Sequence, residues 1–145
     1  MKAYNELIGN ILEDEDRIKF EWAMGAMLTY SIPRTVLIAG PSGSGKTTLT
    51  DIIRNILTRF VSDFSPRVAF VDWNGNIPDY PNDTYIFIES NFEPDILNGV
   101  LTIRTTGNTI PVNKYHVLMR EIRDDLRPIV DECINRYRAL GVYHY

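Results

Sequence analysis

Residues 39–53 read AGPSGSGKTTLTDII, and the reading of this stretch decides the fold. Gly40-Pro41-Ser42-Gly43-Ser44-Gly45-Lys46-Thr47 fits the pattern G-x-x-x-x-G-K-[ST] without a mismatch. Glycines so placed let the backbone wind around an anion, with successive N–H groups pointing inward. A helix that follows directs its N-terminus at the same anion. Lys46 then reaches the β- and γ-phosphates, and the Thr47 hydroxyl is placed to bind Mg²⁺. The predicted nucleotide-binding residues are Gly40, Pro41, Ser42, Gly43, Ser44, Gly45, Lys46, Thr47 and Thr48, with ATP and Mg²⁺ as the implied ligands.

The pattern needs a strand before it and a helix after it. Thr35-Val36-Leu37-Ile38-Ala39 is short, apolar and β-branched, the signature of a buried parallel strand. From Thr47 to Phe60, the residues Ile52, Ile53, Ile56, Leu57 and Phe60 recur at helical spacing. Both requirements are met.

Hydrolysis also needs an acid near the metal, normally at the end of a neighbouring apolar strand. Glu89 stands there, after Tyr85-Ile86-Phe87-Ile88, and is the candidate catalytic and metal-linked carboxylate beside Lys46 and Thr47. Asp72, after Val68-Ala69-Phe70-Val71, is the competitor. Ser90 occupies the next place, where many ATPases carry a second carboxylate that activates water.

Elsewhere, residues 3–12 set Leu7, Ile8, Ile11 and Leu12 on one helical face. The acidic run Glu13–Asp16 reads as a solvated turn and helix start. Ile18, Trp22, Ala26 and Tyr30 predict a second helix over 17–30, with Met24 and Met27 in the core. Residues 67–71 and 84–88 read as strands, and 72–83, with Asn74-Gly75, Pro78 and Pro81, as loop. Residues 92–97 suggest a short helix. The β-like runs 100–104 and 109–112 around Thr105–Asn108 predict a hairpin, and 115–119 a further strand. Residues 128–140 read as a last helix, with Pro128 in its first turn and Gly141 as its cap.

The alternation of strand and helix predicts an α/β domain with a mainly parallel central sheet flanked by helices. A length of 145 residues suits one domain, 1–145, with a helical lead-in at 1–30 and a nucleotide-binding core at 31–145. Net charge is −4, so nucleic-acid contact would need a local basic patch. One cysteine, Cys133, excludes an internal disulfide and a cysteine-based metal site. No apolar run approaches a membrane span, and the first ten residues, MKAYNELIGN, lack an apolar signal segment. The expected compartment is intracellular and reducing: cytoplasmic, or the host-cell interior for a viral protein.

The order of features resembles the superfamily 3 helicases of small DNA viruses, AAA+-type P-loop ATPases. After the loop come Val71-Asp72-Trp73-Asn74-Gly75-Asn76, the acidic strand TYIFIES (84–90), DILNGVLTIRTTGNTIPVN (95–113) and YHVLM (115–119). That order is similar to the family's Walker A loop, Walker B strand, B-prime hairpin and final sensor strand. IKFEWAMGAMLT (18–29) is similar to the helical lead-in of related phage ATPases. The resemblance spans roughly 18–120; only its loop is a specific motif.

The resemblance implies a viral or mobile-element ATPase acting on DNA as a helicase, replication or packaging motor. Single-stranded DNA and a homo-oligomeric ring are the implied partners, with no membrane. It makes Glu89 the Walker B acid and sends Arg104, the Thr105–Asn108 tip and Lys114 toward DNA in the pore. The family's final strand normally ends in Ser-Asn or Thr-Asn, whereas YHVLM runs into Arg120-Glu121; Asn91, which would make Asp72 the Walker B acid, and Asn108 are the alternative sensors. Arg120, Arg123 and Arg127 are candidates for the arginine finger that a neighbour would receive.

Two other readings stand beside it. GPSGSGKTTL also resembles the loop of nucleoside and nucleotide kinases, which would place an arginine-bearing lid at 104–127. A nucleotide-dependent binding switch with little turnover is the third.

Overall fold

The computed structural model describes residues 1–61, 66–95 and 98–145. Its elements are α1 (Lys2–Ile11), α2 (Asp14–Leu28), β1 (Thr35–Ala39), α3 (Lys46–Phe60), β2 (Arg67–Asp72), β3 (Thr84–Ser90), β4 (Val100–Arg104), α4 (Val112–Asp124) and α5 (Arg127–Leu140). The four strands form one sheet in the order β2-β3-β1-β4, and every pairing is parallel. The α/β class with a parallel sheet flanked by helices is therefore observed.

The strands read as near-continuous apolar runs because residues of both faces are covered. Val36, Ile38, Tyr85, Phe87, Leu101 and Ile103 point into the main core with the helices. Leu37, Ala39, Ile86 and Ile88 form a smaller cluster on the opposite face, under Trp73 and Tyr80 of the β2–β3 connection. Each aliphatic side chain fully buried in these clusters contributes about 1.5–3 kcal/mol of transfer free energy.

The helix α1 buries Ala3, Tyr4, Leu7, Ile8 and Ile11, the face its spacing predicts. The acidic run Asp14–Asp16 forms the first turn of α2, where negative charge favours the helix dipole. Asp16 does more than meet solvent: its Oδ1 accepts the Arg104 N–H at 3.0 Å. Buried residues occupy every side of the second half of α2, from Phe20 to Met27. Gly25 permits this, because a Cβ there would lie 2.2 Å from the Cys133 carbonyl oxygen and 2.4 Å from Tyr137 Cβ on α5. Met24 and Met27 are in the core as predicted, but Tyr30 is not on the helical face: it lies past the end of α2, exposed, with φ of 54°.

Glu21 is the buried charge of the lead-in, with 0% exposure. Tyr4 donates to its carboxylate at 2.7 Å, Arg17 at 3.0 Å and Arg136 of α5 at 3.1 Å. These bonds tie α1, α2 and α5 together around a charge that would be costly to bury alone.

Three further expectations are corrected. The hairpin over 100–112 is not formed. Residues 100–104 instead pair in parallel with β1, from Thr35↔Val100 to Ala39↔Arg104. Pro111 lacks an N–H for a returning ladder and caps the start of α4. The strand expected at 115–119 is helical: Leu118, Met119 and Ile122 of α4 are buried at helical spacing, and a short apolar run does not by itself distinguish strand from helix. Residues 92–95 are bend and coil rather than helix; the rest of that expectation, Ile96 and Leu97, lies outside the described residues.

Among the described residues, no helix is long and apolar enough to cross a membrane.

Candidate nucleotide site

The loop leaves β1 at Ala39 and enters α3 at Lys46. Gly45 carries φ of 99°, a conformation costly for other residues, and a Cβ on it would lie 2.9 Å from three carbons of Ile11. The Gly40 N–H bonds the Ser90 carbonyl at 3.1 Å, which fixes the loop to the end of β3. Ser44 shares a hydroxyl hydrogen bond of 2.6 Å with Thr105, and Thr105 N–H bonds the Ala39 carbonyl at 3.0 Å. The loop is thus braced on one side by β3 and on the other by the chain leaving β4.

Lys46 folds inward over its own loop. Its Nζ donates to the carbonyls of Gly40 at 2.6 Å and Pro41 at 2.9 Å, and to Asn91 Oδ1 at 3.0 Å. Burial pushes its pKa below 10.5, and the charge of Glu89 partly opposes that shift. Asn91, one of the alternative sensors, touches the loop lysine directly. Asn108, the other, lines the cavity beside it.

The two candidate acids differ in their distance from the loop. β3 lies directly beside β1, whereas β2 is one strand further out. Glu89 accepts hydrogen bonds from Thr50 at 2.8 Å and from Thr47 at 3.4 Å. Asp72 pairs in register with Glu89 but is exposed on the edge strand. Ser90 is buried and bonds the Phe92 carbonyl, so it adds no charge to this end of the sheet.

A magnesium ion fits this donor set. The Thr47 hydroxyl and the Glu89 carboxylate are hard oxygens 3.4 Å apart at the mouth of the loop. No group of three or more His, Cys, Asp or Glu side chains suited to a metal occurs among the described residues. Mg²⁺ would therefore complete its shell with waters and phosphate oxygens, its usual habit.

One cavity of 380 Å³ opens above the loop. Ser42 to Thr48, Glu89 and Asn91 line one part of it; Asn10 and Ile11 of α1, Asn108 to Ile110, and Tyr115 of α4 line another. The Thr48 hydroxyl donates to the Tyr115 hydroxyl at 3.2 Å. Of the predicted loop residues, Gly40 and Pro41 do not line the cavity but receive Lys46 through their carbonyls.

Arg104 and Lys114 stand apart from this site. Arg104 ends β4 and is paired with Glu93, with Nε 2.7 Å from the carboxylate. Lys114 lies on α4 and pairs with Glu6 at 2.9 Å. The hairpin on which both were expected is absent, and they sit on separate elements. Arg120 and Arg123 are exposed on α4, and Arg127 pairs with Asp131 at 3.3 Å.

Sequence reasoning missed Asn10 and Tyr115, which reach the cavity through tertiary packing, and Thr50, which bonds Glu89 from α3; it placed Thr105 on a hairpin tip toward DNA, whereas Thr105 bonds Ser44 of the loop.

No protein-family model matches the chain, and no curated protein sequence matches it significantly.

Proposed function

We propose that this chain binds ATP with Mg²⁺ and transfers the terminal phosphoryl group, to water or to a small acceptor. One observation carries the reading. Lys46, the Thr47 hydroxyl and the Glu89 carboxylate converge on one glycine loop at the mouth of a cavity large enough for a small molecule. The loop and Lys46 would hold the β- and γ-phosphates; Thr47 and Glu89 would hold the ion, whose charge neutralises the transferring group. Glu89 would also orient the attacking oxygen.

With water as acceptor, the chain is the DNA-acting viral or mobile-element AAA+-type ATPase of the superfamily 3 resemblance. The order of loop, acidic strand and helical lead-in supports that reading, whereas the hairpin and final strand of the resemblance are not formed. A phosphotransferase reading gains from a different observation. Arg104 ends β4, but residues 106–111 are loop and 112–124 are helix α4, with Arg120 and Arg123 exposed, so most of the stretch assigned to an arginine-bearing lid carries neither hairpin nor strand.

Steady-state ATP turnover, with and without single-stranded DNA, separates the two. Stimulation by DNA that Lys46→Ala abolishes supports the motor. Turnover indifferent to DNA but accelerated by a nucleoside or nucleotide acceptor supports the phosphotransferase. Absence of turnover in every arm contradicts the proposed reaction.

A further inference from the structure

We propose that the part of the cavity between α1 and residues 108–110 is an adenine-reading subsite, with Asn10 and Asn108 as its specificity-determining residues; this rests on the phosphate-binding reading of the loop. The cavity is continuous from the loop to this wall, so a nucleotide whose phosphates lie on the loop has its base directed along it. Leu7, Ile11 and Ile110 give the apolar lining that the faces of a base require.

The polar contribution comes from two amides. Asn10 Nδ2 is buried and has no hydrogen-bond partner among the described residues. A buried amide donor left open is rare in a folded chain and calls for a reason. Nδ2 is sealed from solvent as the side chain lies, but Asn10 itself lines the cavity, so a turn of its side chain would bring the unpaired donor to an acceptor atom on an entering base. Asn108 stands exposed at the rim, and its Nδ2 reaches only the Asn10 carbonyl at 3.4 Å, a contact readily exchanged for a ligand. The wall itself is braced: Thr106 donates its N–H to the Ile11 carbonyl at 2.8 Å and its hydroxyl to the Asn10 carbonyl at 2.7 Å.

Adenine matches an asparagine amide in both directions. It accepts at N7 and donates from N6, so one amide can bond it twice. Guanine shows two acceptors, O6 and N7, on that edge, so the amide oxygen would face O6. The opposite edge of guanine presents adjacent donors, which a carboxylate would meet. The described residues lining this part of the cavity carry none; Glu89 lies at the loop end.

The test is calorimetric binding of ATP, GTP and inorganic tripolyphosphate, each with Mg²⁺, to the full chain. The wild type is expected to prefer ATP over GTP by about tenfold or more, the discrimination of one good amide–base pair. Asn10→Ala should remove most of that preference while tripolyphosphate affinity stays within about twofold. Asn108→Ala, at an exposed position that does not threaten folding, should reduce the preference several-fold. Equal affinity of the wild type for ATP and GTP, or a preference unchanged in Asn108→Ala and Asn10→Ala, overturns the subsite. Failure of tripolyphosphate to bind, with ATP affinity unaffected by Lys46→Ala, would instead strike the loop reading.

Discussion

Lys46 Nζ lies 3.0 Å from Asn91 Oδ1, so the loop lysine is held partly by the residue that follows the acidic strand. The two residues are 45 positions apart in the chain, and they meet because β3 lies beside β1. This contact, with two loop carbonyls, keeps the ammonium turned inward before any phosphate arrives. Preorganisation of this kind lowers the cost of binding an anion.

Asn91 should therefore tune phosphate binding. Asn91→Asp would offer Lys46 a competing carboxylate and repel the phosphates, with an expected loss of about tenfold or more in tripolyphosphate affinity. Asn91→Ala, which only removes a neutral acceptor, should cost a few-fold. Titration of both variants with tripolyphosphate checks the order; a weaker effect for Asn91→Asp than for Asn91→Ala would contradict it.

The lowered pKa of Lys46 gives a pH dependence. Burial favours its neutral form in the free protein, so the ammonium is lost at a lower pH than the ordinary 10.5. A bound phosphate favours the ammonium, so binding takes up a proton in that alkaline range. Triphosphate affinity should be flat near neutrality and fall as pH rises through the lowered value, beginning below 10.5. The same titration on Lys46→Arg, which stays charged, should lack this fall.

Glu89→Gln keeps the size of the side chain and one acceptor for the Thr50 hydroxyl, but removes the charge. Turnover should drop by about 10²–10⁴-fold, the range for loss of a positioned acid–base group. ATP binding should persist, with a weaker dependence on Mg²⁺. Steady-state kinetics against a magnesium series reads both. Asp72→Asn should have little effect on turnover, since Asp72 lies on the exposed edge strand.

The lead-in helices offer a stability test far from the chemistry. Glu21→Ala leaves Arg17 and Arg136 without their shared buried partner and Tyr4 without its acceptor. Both arginines keep some contact with solvent, so the expected loss is about 3 kcal/mol, the lower end for breaking a buried pair. For a chain of this size that corresponds to a fall in Tm of roughly 6–12 °C, measurable by thermal melting. Glu21→Gln, which retains hydrogen bonding, should lose less.

What the amino-acid pattern revealed follows the range of the interactions involved. The loop, its strand and its helix were legible because glycine placement and apolar periodicity act within about 25 residues. Glu89 and Asp72 were both legible as acids at strand ends, but which of them stands beside β1 depends on strand order, which no local run encodes. The stretch 100–119 misled for a related reason. Val100–Arg104 has the pattern of any buried strand, and its partner turned out to be β1 rather than the run after Gly107. Tyr115–Met119 is a short apolar run whose helical period shows only when Ile122 is included. Asn10 and Tyr115 were invisible, and Thr105 was assigned to a DNA-facing tip, because they come to the site from elements distant in sequence.

The most direct test of the account is calorimetric binding of ATP with Mg²⁺ to the wild type and to Lys46→Ala. The account predicts saturable one-to-one binding by the wild type and a loss of about 100-fold or more in the variant, with the melting curve little changed. Equal binding by the two proteins, or no binding by the wild type, would contradict it.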